Sequence, residues 1–395
     1  MMKNIFKNQA LKLLKNLEHG SIKILEGKNE YSFVGKYSAN KQVTVIVNDP
    51  KVYNQLVLMG TNGISHSYFH KGWECNSLKD LFDIILENKS LFKKMDHGFA
   101  KLYWIKDALL NLIRLTTFDS AKRNVLRHYD LSNDFFKQFL DNKMMYSCAI
   151  FEKPDQTLDE AAELKLKKVC EKLKLTEKDH LLEIGSGWGG LAIYAHLNYG
   201  CKVTTTTISN EQFNYVDLLI KEKNLSKSVQ VLNKDYRHIE GIYDKIVSVE
   251  MIEAVGFKLF RDFFKRMNQL LRKEGFFLLQ CITINDHDYE RAKLETDFIK
   301  RYIFPGGCLP SVAAIQSIIK KDTQFKKLDF EDIGHHYVKT LSEWQKKFNH
   351  NLKNIFSLGF NESFARMWEY YFSYCQAGFQ NKHISNIQVL WQKNC

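Results

Sequence analysis

The stretch LLEIGSGWGG, residues 181–190, constrains this chain more than any other. An apolar run carrying one acid, Glu183, breaks into Gly185, Gly187 and Gly189, with Gly190 directly behind. Glycine adopts backbone conformations closed to other residues and lets a ligand approach the main chain. Such a cluster therefore marks the turn from a buried strand into a helix. The sequence around it has the matching rhythm. HLLEIG reads as a buried strand and GGLAIYAHLNYG as a helix stopped by Gly200. CKVTTTTIS is strand-like, NEQFNYVDLLIKEKNL helical, and VQVLN and DKIVSVEMI are strands. KLFRDFFKRMNQLLRKEG reads as a helix ending at Gly275, followed by the strand GFFLLQCITI. Alternation of this kind predicts an α/β fold with a doubly wound, Rossmann-like parallel sheet, whose ligand lies beyond the carboxyl ends of the strands. Upstream, TLDEAAELKLKKVCEKLKL predicts a helix capped by Thr157 with Glu160 three residues on.

A chain of 395 residues exceeds one ordinary core and predicts two domains. Residues 1–115 read as a smaller α+β domain: an amphipathic helix over 5–17, the strands SIKILE, EYSFVG and KQVTVIV, and a helix in LKDLFDIILENKSLFKKM. Residues 116–395 then read as the larger domain, which carries the glycine turn. The first helix sets Leu11 and Leu14 on one face and Lys3, Lys7, Lys12 and Lys15 elsewhere, which suits packing on its own domain or a membrane interface. The first twenty residues are basic but have no continuous apolar core, so no secretory signal is expected there. The eight cysteines form no C-x-x-C pair and suit a reducing, cytoplasmic setting. A net charge of +12 points to an anionic partner. No basic-aromatic patch or known module favours nucleic acid, which leaves an acidic membrane surface.

Gly185, Gly187 and Gly190 fit a dinucleotide fingerprint, G-x-G-x-x-G. A dinucleotide site also wants an acid at the tip of the second strand, and that strand here ends in Thr204–Thr207 and Ile208. The acid stands at Glu183 instead, which favours the turn of S-adenosylmethionine-dependent methyltransferases. Gly190 is then explained by close packing of the following helix on its strand.

Further motifs surround the loop: HYDLSNDFFKQFLDNKMMYSCAIF before it, then TTTISNEQ, DYRHIEGIYDKIVSVEMIEAVG, DFIKRYIFPGGCLPS and HHYVKTLSEW. In this order the set resembles the cyclopropane fatty acid synthase family over residues 120–395, and only loosely the family's lipid-binding domain over the first hundred. The resemblance implies transfer of a methylene group from S-adenosylmethionine to cis double bonds of unsaturated phospholipid acyl chains. It places the cofactor against Tyr146, Ser147, Gly185, Gly187, Ile208, Gln212, Asp235 and Tyr236, and Glu183, placed before the glycine turn, joins them at the methionine end. It assigns a bound bicarbonate as base, cradled by Cys148, Glu253, the amide of Ile282, Tyr337 and the residue at 280. The family keeps a histidine at that last position, and this chain has Gln280, which can donate a hydrogen bond but cannot relay a proton. His128 and the His335–His336 pair are the nearby histidines that could substitute. Glu250 is a rival carboxylate ranked below Glu253. A metal is not expected. The resemblance further implies a homodimer and a peripheral position at the inner membrane face, and FIKRYIFPGGCLPS, an insertion after the fifth strand of the sheet, could form a lid and the apolar wall of an acyl tunnel. The departure at 280 also keeps open a related activity that gives methyl-branched lipid or methylates a small amine. The aromatic run FARMWEYYFSYCQAGF reads as a core helix.

Overall fold

A computed structural model describes residues 2–93 and 131–394 of the chain. They fall into two compact units. One gathers Met1–Arg114, Leu294–Ile303 and Leu352–His383; the other gathers Leu115–Lys293, Phe304–Asn351 and Ile384–Cys395. The units are therefore not two contiguous stretches divided once near residue 115. The aromatic helix Glu362–Gln380 explains this. It sets Tyr370 and Tyr374 edge-on to Phe82, with ring centroids 4.8 and 5.6 Å apart, inside the first unit. It is a core helix: Trp368, Tyr370 and Phe372 are buried.

The first unit holds a four-stranded sheet of β1 (His19–Glu26), β2 (Asn29–Val34), β3 (Tyr37–Val47) and β4 (Trp73–Cys75), in the order β2-β1-β3-β4. Ile22 and Ile24 alternate inward on β1, and helix Leu78–Glu87, capped by Ser77, adds Ile84 to the same core. Helix Lys51–Phe69 was not legible in the sequence; Gly60 interrupts it with a left-handed φ of 56°.

The second unit is built on seven strands. They are β5 (His180–Ile184), β6 (Lys202–Thr207), β7 (Val229–Asn233), β8 (Tyr243–Val249), β9 (Leu271–Ile284), β10 (Phe325–Asp332) and β11 (Ile384–Lys393). Their order is β10-β11-β9-β8-β5-β6-β7. β5 to β9 are mutually parallel, as the alternation predicts. β11 runs antiparallel to β9 and β10 antiparallel to β11, so the sheet is mixed. The chain winds outward from β5 through β6 to β7, then returns to place β8 on the other side of β5. That reversal is the topological switch point, where open α/β sheets bind ligands.

Successive residues of the strands serve opposite faces. Leu181, Val247 and Leu278 join one core cluster while Leu182, Ile246 and Leu279 join the other. Helix Leu158–Lys172 starts in the expected capping box, Thr157 and Glu160 each satisfying the other's backbone N–H. One boundary differs from expectation. The helix after β8 stops at Leu270, and Gly275 lies inside β9, where a Cβ would stand 2.8 Å from the Asp244 carbonyl oxygen. Among the described residues no helix is long and apolar enough to cross a membrane.

Candidate active site

β5 delivers Glu183 and then turns. The N–H groups of Gly185 and Ser186 both donate to the Thr206 carbonyl, at 3.0 and 2.9 Å, which ties the turn to β6. Gly185, Gly187 and Gly189 have φ of 93°, 50° and 84°, a region that strains any side chain. A Cβ at Gly187 would meet nothing within 4 Å, whereas one at Gly185 would touch Met251. Gly190 is tightly packed, but not on its own strand as expected. A Cβ there would lie 2.5 Å from Met145 Sδ and 2.7 Å from the Lys143 carbonyl, so it seats the helix against the segment that leads into Tyr146.

These elements enclose a cavity at the switch point. All nine residues assigned to the cofactor line it: Tyr146, Ser147, Glu183, Gly185, Gly187, Ile208, Gln212, Asp235 and Tyr236. Glu183 accepts the Thr205 hydroxyl at 2.6 Å. Burial, outweighing that bond and the nearby Lys165 charge, pushes its carboxyl up to about 8. Gln212 accepts the Thr207 hydroxyl at 2.8 Å, which leaves the amide N–H₂ end as the donor for a ligand. Asp235 is engaged differently from a free acceptor: Arg237 donates to it through its backbone N–H, Nε and Nη2. Burial raises the Asp235 carboxyl, but those bonds and the Arg237 charge win and hold it below its ordinary value. The Tyr236 ring stands edge-on to Phe263 at 5.3 Å, and its shielded hydroxyl has no partner among the described residues. Tyr146 packs between Phe136 and Trp344 at 5.3 and 5.2 Å.

Behind one wall of this cavity lies the expected catalytic set, in an arrangement the sequence did not show. Three of its five groups converge on Glu250. The Cys148 N–H and Gln280 Nε2 each donate to Glu250 Oε1 at 2.9 Å, and the Tyr337 hydroxyl donates to Oε2 at 2.6 Å. A fourth donor, Asn386 Nδ2, reaches Oε1 at 2.6 Å. Glu250, ranked second from sequence, is thus the hub, and it also lines the cofactor cavity. Only the Ile282 N–H goes to Glu253, at 2.5 Å from Oε1. The other Glu253 oxygen is shielded and has no partner among the described residues. Burial and the neighbouring Glu250 charge push the Glu253 carboxyl up to about 8.

The Cys148 thiol is fully buried, and burial together with Glu250 lifts it well above the ordinary thiol range. It contributes its backbone N–H and no thiolate. Gln280 is held from both ends, because Gln388 Nε2 donates to its Oε1 at 3.0 Å. The β9–β11 register sets Gln388 opposite Gln280 and Asn386 opposite Ile282. Lys165, unremarked in the sequence, is fully buried and donates to the Ser147 hydroxyl at 2.9 Å. It places a cationic group beside Glu250, Asp141 and Glu183, while burial pulls its ammonium below the ordinary lysine range. The histidine substitutes do not join the cluster. His336 meets the Phe151 N–H, and burial with His335 lowers it to about 4; His128 lies outside the described residues. The end of the expected lid is anchored, with the Cys308 N–H on the Glu253 carbonyl at 2.7 Å and Phe304 6.2 Å from Tyr146.

This geometry tests the bicarbonate assignment. The Cys148, Gln280 and Tyr337 donors lie on Glu250 and the Ile282 N–H lies on Glu253. A second anion at the same place would find those donors engaged and two carboxyl groups facing it. The residues present do not fit a free bicarbonate ion.

A sequence profile of the mycolic acid cyclopropane synthetase family matches residues 117–389. The chain is 38% identical over 277 residues to the tuberculostearic acid methyltransferase of Mycobacterium tuberculosis, spanning 68% of this chain and 65% of that protein. It is 35% identical over 351 residues to the cyclopropane-fatty-acyl-phospholipid synthase of Escherichia coli, spanning 88% of this chain and 87% of that one. Among solved structures it is similar to a cyclopropane synthase from Mycobacterium tuberculosis, with a TM-score of 0.65 and 30% identity over 69% of this chain and 98% of that chain. A mycolic acid cyclopropane synthase in complex with SAH and CTAB gives a TM-score of 0.64 at 32% identity, over 69% of this chain and 98% of that one.

Proposed function

The chain belongs to the mycolic acid cyclopropane synthetase family, and from that premise we propose that it transfers a methylene group from S-adenosylmethionine to the cis double bond of unsaturated phospholipid acyl chains, closing a cyclopropane ring. One observation carries the proposal: the nine residues assigned to the cofactor line a single cavity whose wall includes Glu250. When bound, the cofactor supplies an electrophilic methyl group on a sulfonium. The chain's own residues do the rest. Glu183 sits where it can hold the cationic methionine end, and Gly187 lets the ligand approach the backbone. The Gln212 amide would donate to a ribose hydroxyl, and Ile208 and Tyr236, which also line the cavity, would flank the base. Tyr146 lines the cavity, backed by Phe136 and Trp344, and this aromatic packing would exclude water and stabilise the positive charge that develops on the alkene.

Acyl chains reach such a site from a bilayer. The net charge of +12 would hold the enzyme peripherally at an anionic membrane face. A second product is favoured by Gln280, which replaces a group able to relay a proton. If the cation loses a backbone-chain proton instead of one from the new methyl, the product is a methyl-branched alkene.

One assay separates these outcomes. Purified protein is incubated with unsaturated phospholipid vesicles and cofactor carrying a fully deuterated methyl, and the acyl chains are analysed by mass spectrometry. Acyl chains that gain one carbon and keep two of the three deuterons support ring closure. Retention of all three shows methyl branching, and label found only on an added amine overturns both lipid readings.

A further inference from the structure

We propose that the Glu250 carboxylate is the built-in base of this site, occupying as part of the chain the position that the family resemblance gives to a free anion. The inference rests on the methylene-transfer reading above. Its first support is the donor set. Cys148, Gln280 and Tyr337, three of the groups expected to cradle an external anion, all donate to the two oxygens of Glu250, and Asn386 completes the shell. Such a shell holds a carboxylate in one orientation and needs no second anion.

The backbone gives independent support. Glu250 follows the last residue of β8 with a φ of 50°, a left-handed conformation uncommon for a residue with a side chain. Its N–H donates to the Gln280 carbonyl at 2.7 Å, which fixes that strained turn to β9. Strain of this kind persists where the surroundings over-determine it, and here it aims the carboxylate at the four donors and the cavity wall. The neighbours complete the assignment. Gln280, locked by Gln388, orients Glu250 but cannot take a proton. Glu253 receives one backbone N–H and its other oxygen has no partner among the described residues, so it lacks the donor shell that holds Glu250 as a carboxylate. Lys165, fully buried, donates to the Ser147 hydroxyl beside Cys148.

The step balances. The π electrons of the alkene form a bond to the transferred methyl carbon as the S–C bond breaks onto sulfur. The electron pair of one methyl C–H bond then forms the second ring bond, and its proton passes to Glu250. The charge brought by the sulfonium ends as that proton, leaving a neutral carboxylic acid until the product departs.

The test compares wild type, Glu250→Gln and Glu250→Gly in buffer freed of carbon dioxide, with and without added bicarbonate. Glycine suits the left-handed backbone, so Glu250→Gly keeps the fold, checked by calorimetric binding of S-adenosylhomocysteine. Wild-type turnover is expected to be unchanged by bicarbonate. Both variants are expected to lose about 10²–10⁴-fold in kcat. Added bicarbonate restores Glu250→Gly, whose anion position is vacated, and leaves Glu250→Gln inactive. A parallel titration with ¹³C-bicarbonate, followed by NMR, should show binding to Glu250→Gly and none to wild type. Bicarbonate-dependent wild-type turnover, or bicarbonate binding to wild type that the variants lack, overturns the inference. Failure of every form on lipid overturns the function reading instead, and the titration then still decides whether Glu250 fills the anion position.

Discussion

Glu253 holds its proton at neutral pH because burial and the adjacent Glu250 raise its carboxyl to about 8, against an ordinary value of 4.5. Glu183, raised to about 8 mainly by burial, behaves in the same direction. For an acid whose folded value lies above its unfolded one, the native state binds the extra proton between the two. The stability this contributes is fully present below about pH 4.5 and is lost as pH rises through about 8. Denaturation midpoints of the cofactor-free protein should therefore fall between about pH 6.5 and pH 8, above the range in which His336, lowered to about 4, gives the opposite slope. Glu253→Gln should remove about half of that slope; a slope left intact would show that Glu253 does not carry the proton. At this scale the sequence was only partly legible. Gly185, Gly187 and Gln212 could be placed beside the cavity from motif position, and the structure puts them there. That Glu250 and not Glu253 gathers the donors could not be read from sequence. The donors that single it out come from positions 148, 280, 337 and 386, and only folding brings them together.

The clearest local signals survived folding unchanged at the scale of elements. Thr157 and Glu160 cap helix Leu158–Lys172 as their spacing predicts, and Gly200 closes helix Gly190–Tyr199 with a φ of 71°. Both are interactions within four residues, so nothing distant can override them cheaply. Packing between elements was less legible. Gly190 looked like a helix-on-strand contact, yet its neighbour is the Lys143–Met145 segment. Gly190→Ala should force a methyl against the Lys143 carbonyl and cost about 1–3 kcal/mol in chemical denaturation. It should also weaken cofactor binding, because that segment leads directly to Tyr146 and Ser147; an unchanged midpoint would mean the segment yields freely. β10 and β11 went unseen for a related reason. β10 exposes nearly every side chain, and β11 places Asn386 and Gln388 in its buried run, so neither resembles the apolar strands of the parallel half. Yet β11 carries two of the amides that organise the cluster.

For the whole molecule, the excess of twelve positive charges predicts long-range attraction to acidic bilayers and little contact energy of its own. Binding to anionic vesicles, measured by cosedimentation, should weaken steadily with added salt, and uncharged vesicles should bind less. Neutralising Lys12 and Lys15, both exposed, should weaken it further. Lys7 is a poorer target, being paired with Glu26 at 2.5 Å and set over the Tyr31 ring. Salt-insensitive binding would assign the contact to apolar surface. The two units carry the same lesson in their boundaries: Leu294–Ile303 and Leu352–His383 belong with the amino-terminal sheet, although more than two hundred residues separate them from it in sequence. The sequence by itself determined the parallel strand–helix alternation, the glycine turn and the caps, because these depend on periodicity and on neighbours within one turn. Tertiary structure alone decided which carboxylate stands at the centre, what Gly190 packs against and which segments share a core. Those outcomes depend on hydrogen bonds and side-chain contacts closed across a hundred residues or more, and no local pattern encodes where such contacts meet.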